Sequence, residues 1–419
     1  MGGVLTRLSD TAEKLSSSEN WSPRRLLGAP HRLGFAVGAA LMGLLALWWL
    51  AVLAAMALGL DPGWAVPPAP AHGLLFTLGF MPAFMAGFLF TAGPRWLALP
   101  AVAARTLLAP LLQFGAGWAT VLAGVHAAAL LAALGMALVA VGWLRLLLRF
   151  AALLRASRAP DRLHARWLLA AGAIGVAAML LACRALARGD VPQLRAAAQL
   201  GLWAFVLPVF TVAWHRMIPL FAATALPRLE ALGERAQLLL LLAGPALMGL
   251  ARVPGLPRWP LAALLALAAL ALLALALRWR PPAGDAGRLL RMLRGGFGWL
   301  GVALALQALS LGLQAVGRAG LGTAPLHALT LGYLGCTLVA MATRVAAAHS
   351  GRPLAIDRAG WRLYRLLQLG VLLRLAAAPG LGGGAALLAA AAAWAGVATA
   401  WAWRQGRWLG LPRADGRAG

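Results

Sequence analysis

Histidine is the side chain of this protein best placed to bind a metal or a haem iron, because the interiors of its long apolar segments contain no carboxylate. The 11 acidic residues all fall in polar tails, in loops or at the extreme ends of apolar segments. Neutral imidazole is a common ligand of transition metals and an axial ligand of haem. Carboxylates inside a membrane usually belong to proton relays or to cation-coupled transport, so their absence disfavours a proton pump or a cation symporter.

The 7 histidines fall into two layers if the apolar segments cross a membrane. Three are predicted at the outer face: His72, His126 and His327. Three are predicted at the inner face: His31, His215 and His349. We predict that His72 and His327 bind one haem or metal and that the inner three form a second cluster, in which His215 and His349 are further metal-ligand candidates. His164 lies in a basic loop and is predicted to be solvated.

One helix could serve both layers. His327 and His349 are 22 positions apart in the sequence. A regular α-helix turns by about 100° and rises about 1.5 Å per residue, which places the two histidines within about 40° of one face and roughly 33 Å apart.

The composition is that of a membrane protein. Hydrophobic residues make up 62% of the 419 positions, charged residues make up 11%, and the mean hydropathy is +0.81. A soluble domain has about 25% charged residues. The net charge of +26 does not indicate nucleic-acid binding, because the arginines lie between apolar runs rather than along one polar face. Cys183 and Cys336 both lie inside apolar segments and are predicted to be buried and unpaired.

Apolar windows of about 20 residues, the length that crosses a bilayer, predict twelve membrane helices. They lie near 34–58, 72–92, 106–124, 127–147, 167–187, 197–221, 236–253, 260–278, 296–316, 326–347, 361–378 and 384–403. The predicted fold class is therefore an all-α polytopic membrane bundle. Its predicted parts are an N-terminal tail over 1–33, a transmembrane domain over 34–404 and a C-terminal tail over 405–419.

The distribution of arginine and lysine predicts the orientation. With the N-terminus inside, the inner segments carry 30 of the 37 basic residues and the outer loops carry 6. Basic residues concentrate in cytoplasmic loops, so both termini are predicted to be cytoplasmic. The remaining basic residue, Arg374, falls inside the eleventh segment. Four arginines follow the histidine-bearing segments on the inner side and could bind the carboxylates of a haem: Arg95, Arg216, Arg344 and Arg352. The ordinary topology signal explains the same arginines.

Three segments resemble the NnrS family: His72 to Trp96, Trp214 to Pro219, and His327 to Leu354 with its Thr343-Arg344 and His349-Ser350-Gly351-Arg352-Pro353 motifs. The entry to the first helix, Pro30 to Phe35, is also similar. The resemblance implies a twelve-helix protein of the bacterial cytoplasmic membrane that carries haem, with copper reported for the family, and that helps cells withstand nitric oxide. The residues it points to as cofactor-binding are His72, His327, His215, His349, His31, Arg95, Arg344 and Arg352.

This chain departs from the family at one position of the second helix. Many members have a His-x-His-Glu group there, whereas this chain has His72 followed by Leu74 and Leu75 at the other two positions. A site that needs the second histidine or the glutamate cannot be the same here. Copper binding is therefore less strongly implied than haem binding.

Three functions are compatible with the sequence. The first is a haem-binding membrane protein of nitric oxide metabolism, with nitric oxide as a ligand. The second is a permease for a small solute, a metal or haem itself. The third is an assembly or scaffold factor for a respiratory nitrogen-oxide complex. No catalytic residue is identified, and whether the protein is an enzyme is left open.

Overall fold

The structure is a computed structural model that describes residues 21–222, 234–279, 281, 283–378 and 383–416. Most of the N-terminal tail predicted over 1–33 lies outside these residues, as do the last three residues of the predicted C-terminal tail. The described chain is helical, which confirms the predicted all-α polytopic bundle.

The described helices are numbered here as α1 to α12 in chain order. Their bounds are α1 Pro30–Ala57, α2 Pro68–Trp96, α3 Arg105–Ala127, α4 Ala129–Ala156, α5 Leu163–Arg188, α6 Val191–Met217 and on to Ala222, α7 Glu234–Leu250, α8 Arg258–Arg278, α9 Arg288–Ala315, α10 Ala324–His349, α11 Arg358–Ala377 and α12 Gly383–Gly410. The first helix thus begins at Pro30, four residues before the predicted boundary, and the last continues to Gly410.

Within the described ranges, 10 helices are long and apolar enough to cross a membrane. The other two predicted segments are α7, which is 17 residues long, and α11, which is 20 residues long and carries four arginines. Contacts at its two ends show that α11 also runs the length of the bundle. Arg288, at the start of α9, donates to the Ile356 carbonyl just before α11, and Arg374 near its far end donates to Thr323 just before α10. Because α9 starts at one end and α10 at the other, α11 connects both ends.

The two ends of the described chain meet on the same side of the bundle. The Ser22 backbone N–H donates to the Gly410 carbonyl at 2.9 Å. The Arg32 guanidinium donates to the carbonyls of Leu409 at 2.9 Å and Leu411 at 3.0 Å. Because both ends lie on one side of the bundle, the chain between them crosses the bundle an even number of times, in agreement with the predicted topology. Which compartment faces this end remains a prediction from the arginine distribution.

Three helices depart from regular α geometry. The second is interrupted at Gly79 and Phe80, because Pro82 has no backbone N–H to offer to the carbonyl four residues earlier. In the interrupted backbone a side chain at position 79 would place its Cβ atom against the Leu75 carbonyl oxygen, so this break requires glycine. π-helical stretches interrupt α6 at Leu202–Val206 and α10 at Ala328–Gly335. Such π turns occur often at functional sites.

The π-helical stretch of α10 bears on the predicted shared face of His327 and His349. That prediction assumes a regular α-helix, but Ala328–Gly335 lies between the two histidines with a different number of residues per turn. The angular prediction therefore has no valid basis. The separation of the two histidines along the helix is retained, since they lie at opposite ends of α10.

Candidate functional site

A cavity of about 500 Å³ is lined by both His72 and His327. It lies at the end of the bundle that the arginine distribution predicts to face outward, called the outer end here, and the opposite end is called the inner end. All three irregular stretches contribute to the wall of the cavity: the break in α2, the π turn of α6 and the π turn of α10. The walls are mostly apolar, and the volume falls in the range of about 300–1,000 Å³ that is usual for small-molecule sites. The structure thus brings together the two histidines predicted to share a ligand.

The ring of His327 has a fixed orientation and a defined free nitrogen. Its Nδ1 lies 2.9 Å from the Thr323 carbonyl oxygen. A carbonyl oxygen can only accept, so Nδ1 must carry the hydrogen and donate it. The lone pair is then on Nε2, which is the arrangement typical of a metal-ligating histidine whose other nitrogen is bonded to a backbone oxygen.

The ring of His72 is held by aromatic contacts. Trp49 stacks on it with ring centroids 4.0 Å apart and an interplanar angle of 18°, and the Phe76 ring lies 4.3 Å away. The Nδ1 atom of His72 is buried and has no hydrogen-bond partner in the described chain. Buried polar atoms are rarely left unpaired, so this nitrogen is a candidate for contact with a ligand. Leu74 and Leu75 are fully buried core residues, which places the two missing family ligand positions in packing contacts.

Three arginines that were not among the predicted ligands also line the outer cavity: Arg195, Arg252 and Arg374. Arg252 donates to the Gln199 side chain at 3.2 Å and lies over the Trp203 ring, 5.8 Å from its centroid. Arg374 donates to the Thr323 hydroxyl at 3.1 Å. A signal for them was present in the sequence. They belong to the 7 of 37 basic residues that the inside-positive pattern does not explain.

The inner end holds a second histidine pair, as predicted for two of its three members. The rings of His31 and His349 lie 4.2 Å apart between centroids, at an angle of 39°. The His31 backbone N–H donates to the Thr91 hydroxyl at 3.0 Å, and its ring Nδ1 is buried without a partner in the described chain. Arg413 donates to the His349 carbonyl at 2.9 Å.

The third predicted member of the inner cluster, His215, contacts His164. The Nδ1 of His215 lies 3.0 Å from the Nε2 of His164, and their rings are stacked with centroids 5.3 Å apart. His164 is 4% exposed, so the prediction that it is solvated was wrong. The physical reason is that the loop before α5 ends earlier than predicted, at Arg162, and His164 already lies in the first turn of the helix facing α6.

The arginines predicted as carboxylate ligands lie at the inner end. Arg95 is close enough to His31 and His349 to interact with them electrostatically, as is Arg32, which was not among the predicted ligands. Arg352 lies over the Trp408 ring, 5.3 Å from its centroid, and Arg344 is half-buried in the last turns of α10. None of these lines the outer cavity. If an anionic ligand occupies that cavity, Arg195, Arg252 and Arg374 are the side chains that can reach it.

The remaining histidine of the outer layer is separate from the cavity. His126 accepts a hydrogen bond from the Trp48 indole at 2.9 Å and packs against Trp64. Both cysteines are free, as predicted: Cys336 is buried and Cys183 is half-buried. In the described part of the chain no three His, Cys, Asp or Glu side chains come together as a metal site. Six of the seven histidines occur in pairs, and a pair supplies two imidazoles, not the four ligands of a tetrahedral ion held by protein alone.

The fold and the site define a polytopic helical membrane protein with a histidine-lined and arginine-lined cavity at one end. The family model described as NnrS protein matches residues 25–413, which is nearly the whole chain. The chain therefore belongs to the NnrS family, whose members are membrane proteins of the nitric oxide response. The comparison with curated proteins gave no match.

Proposed function

We propose that this protein binds haem in the outer cavity and acts in nitric oxide metabolism or in resistance to nitrosative stress, in the bacterial cytoplasmic membrane. The observation that carries the proposal is that His72 and His327 line one cavity. They come from helices far apart in the sequence, and their meeting at one cavity is independent of the family resemblance that also selects them.

The residues present fit a haem in four respects. His327 presents a bare Nε2 because Nδ1 donates to the Thr323 carbonyl oxygen. His72 has a buried nitrogen without a partner in the described chain. The cavity walls are apolar, as a macrocycle requires. Three arginines are available for two carboxylates, which guanidinium groups bind with bidentate hydrogen bonds. The chemistry that haem supplies when bound is an iron atom with affinity for nitric oxide.

The roles of the chain's own side chains follow from their contacts. Thr323 fixes the tautomer of His327 through its carbonyl oxygen. Trp49 fixes the plane of the His72 ring by stacking. The apolar walls exclude water, and the arginines at the wall orient an amphipathic anion so that its carboxylates face them and its apolar body faces the helices.

Copper is a weaker proposal than haem. The inner pair of His31 and His349 could contribute two imidazoles, but Arg32, Arg95 and Arg413 surround it with positive charge. Positive charge at this distance opposes a bound cation. Arg413 is paired with Asp415, but the ion pairs of the described residues include neither Arg32 nor Arg95, whose charges are not offset in this way.

A permease is the second candidate, favoured by the interrupted helices. Discontinuous membrane helices commonly form the substrate sites of transporters. In this protein the break in α2 and the π turns of α6 and α10 all line the cavity. In this alternative the same two histidines and three arginines would bind a transported anion transiently.

An optical spectrum of the detergent-purified protein, produced with haem supplied, tests the main proposal. We expect a Soret band in the wild type, its loss in His72→Ala and in His327→Ala, and a shift of the band when the reduced protein is exposed to nitric oxide. His126→Ala is the matched control, because His126 lies at the same end of the bundle but is bonded to Trp48 outside the cavity. A colourless wild type whose thermal stability rises with a small anion would refute the proposal and favour the permease.

A further inference from the structure

An open groove of about 590 Å³ lies between the inner ends of α11 and α12, far from the outer cavity. Three arginines line it: Arg362, Arg404 and Arg407. Trp403 and Trp408 line it as well, and its lining contains no acidic residue. The groove thus combines concentrated positive charge with aromatic surface at one end of a membrane protein.

The charges of the groove are only partly neutralised. Arg404 forms an ion pair with Asp357 at 2.7 Å and lies 6.0 Å from the centroid of the Trp408 ring. Arg407 lies over the Trp403 ring at 5.7 Å. Of the groove arginines, Arg404 alone takes part in the ion pairs of the described chain, and its partner is Asp357. Two positive charges, those of Arg362 and Arg407, therefore remain available to an anion.

The surroundings of the groove favour a lipid over a soluble ligand. Trp403 is 71% exposed on the outer surface of the bundle, where hydrocarbon and headgroups surround a membrane protein. Tryptophan is enriched at the membrane interface because its ring is both apolar and polar. Basic pockets between transmembrane helices on the cytoplasmic side bind anionic headgroups. The inner end is the side that carries 30 of the 37 basic residues.

We propose that this groove binds the headgroup of an anionic phospholipid, with Arg362 and Arg407 contacting the phosphate and Trp403 packing against the glycerol and the upper acyl chains. The lipid would join α11, the helix with four arginines, to α12. The same two helices line the outer cavity through Arg374 and Trp394. This proposal does not depend on which ligand the outer cavity binds.

The test uses the full-length protein in detergent with added phosphatidylglycerol, phosphatidylcholine or inorganic phosphate, and measures lipid retention by native mass spectrometry and the thermal midpoint. The test variant is the double substitution Arg362→Gln with Arg407→Gln. Arg149→Gln with Arg155→Gln is the matched control, because these exposed arginines lie at the inner end of α4 outside the groove. Arg362→Lys with Arg407→Lys keeps the charge and checks that a loss does not arise from misfolding.

We expect phosphatidylglycerol, but not phosphatidylcholine or free phosphate, to be retained by the wild type and to raise its thermal midpoint. Each arginine near an anionic surface contributes about 1 kcal/mol, so the glutamine variant should bind about thirtyfold more weakly. The lysine variant and the control should bind phosphatidylglycerol nearly as well as the wild type. Equal losses in the glutamine variant and the control, or an equal effect of phosphatidylcholine or of free phosphate, would overturn the proposal.

Discussion

If the outer cavity binds haem as proposed, replacing Arg374 by Gln should weaken that binding by removing a side chain that would contact a haem carboxylate, while His72 and His327 stay in place. Arg374 lies on α11 at the wall of the outer cavity, and it donates to the Thr323 hydroxyl with one nitrogen. A guanidinium has five N–H donors, so the others remain available to a ligand. A hydrogen bond from Arg374 to a haem carboxylate would join two charged groups, and the half-buried position of Arg374 would shield it only partly from water.

The expected size follows from that environment. A hydrogen bond to a charged group contributes about 1.5–3 kcal/mol, which corresponds to about a 10- to 150-fold change in affinity. Arg374 is half-buried, so water weakens the interaction and the lower half of this range applies. Its bond to Thr323, whose carbonyl fixes His327, gives a second route by which the substitution could disturb the site.

A comparison of haem with haem dimethyl ester separates these two routes. Both ligands are titrated into wild-type, Arg374→Gln and Arg374→Lys protein, and binding is followed by the Soret band. If Arg374 contacts a carboxylate, the glutamine variant should lose affinity for haem but not for the ester, and lysine should restore part of the loss. Arg318→Gln is the control, since Arg318 is an exposed outer-loop arginine that does not line the cavity. An equal loss for haem and ester would refute a carboxylate contact.

Three further predictions concern packing, pH and topology. Gly34→Ala should lower the free energy of unfolding by about 1–3 kcal/mol in a denaturation series, because its Cβ would lie 2.5 Å from the Gly87 Cα, whereas Gly298→Ala, with no atom within 4 Å, should not. Burial acts to raise the pKa of Asp357, but hydrogen bonds from Arg404 and the Gly360 N–H and the nearby arginine charges outweigh it and hold the pKa below its usual value. The ion pair therefore stabilises the protein at neutral pH and is lost as the pH falls through the lowered pKa. Asp357→Asn should cost about 0.2–1 kcal/mol at pH 7, and the cost should shrink as the pH falls below the ordinary aspartate pKa of about 3.9. A cost that does not change with pH would contradict the assignment. Reporter fusions after Asp61 should be active in the periplasm and those after Asp285 in the cytoplasm, and the reverse pattern would refute the orientation.

The sequence alone determined the class of fold, because membrane hydrophobicity is a local property. Each apolar run must be helical in lipid to satisfy its own backbone, and no tertiary contact is needed to reach that conclusion. The distribution of arginine predicts the inside and outside loops in the same local way. The two layers of histidine followed, since a residue's position along a membrane helix fixes its depth.

Which side chains at one depth meet depends on how the helices pack. His126 shares the outer layer with His72 and His327, yet it bonds to Trp48 outside their cavity. His215 shares the inner layer with His31 and His349, yet it contacts His164. Depth is set by position along one helix, whereas a contact also depends on the order of helices around the bundle and on the rotation of each. The π turn in α10 changed that rotation without any signal in the apolar pattern.

The arginines illustrate the same division most clearly. Arg95, Arg344 and Arg352 follow the histidine-bearing helices in sequence, and none of them lines the outer cavity. The arginines that do line it, Arg195, Arg252 and Arg374, come from three separate parts of the chain. Sequence neighbours of a histidine lie near it only along its own helix. A cavity is closed by side chains from several helices, so its charged groups are fixed by packing between segments, which the linear order of residues does not contain.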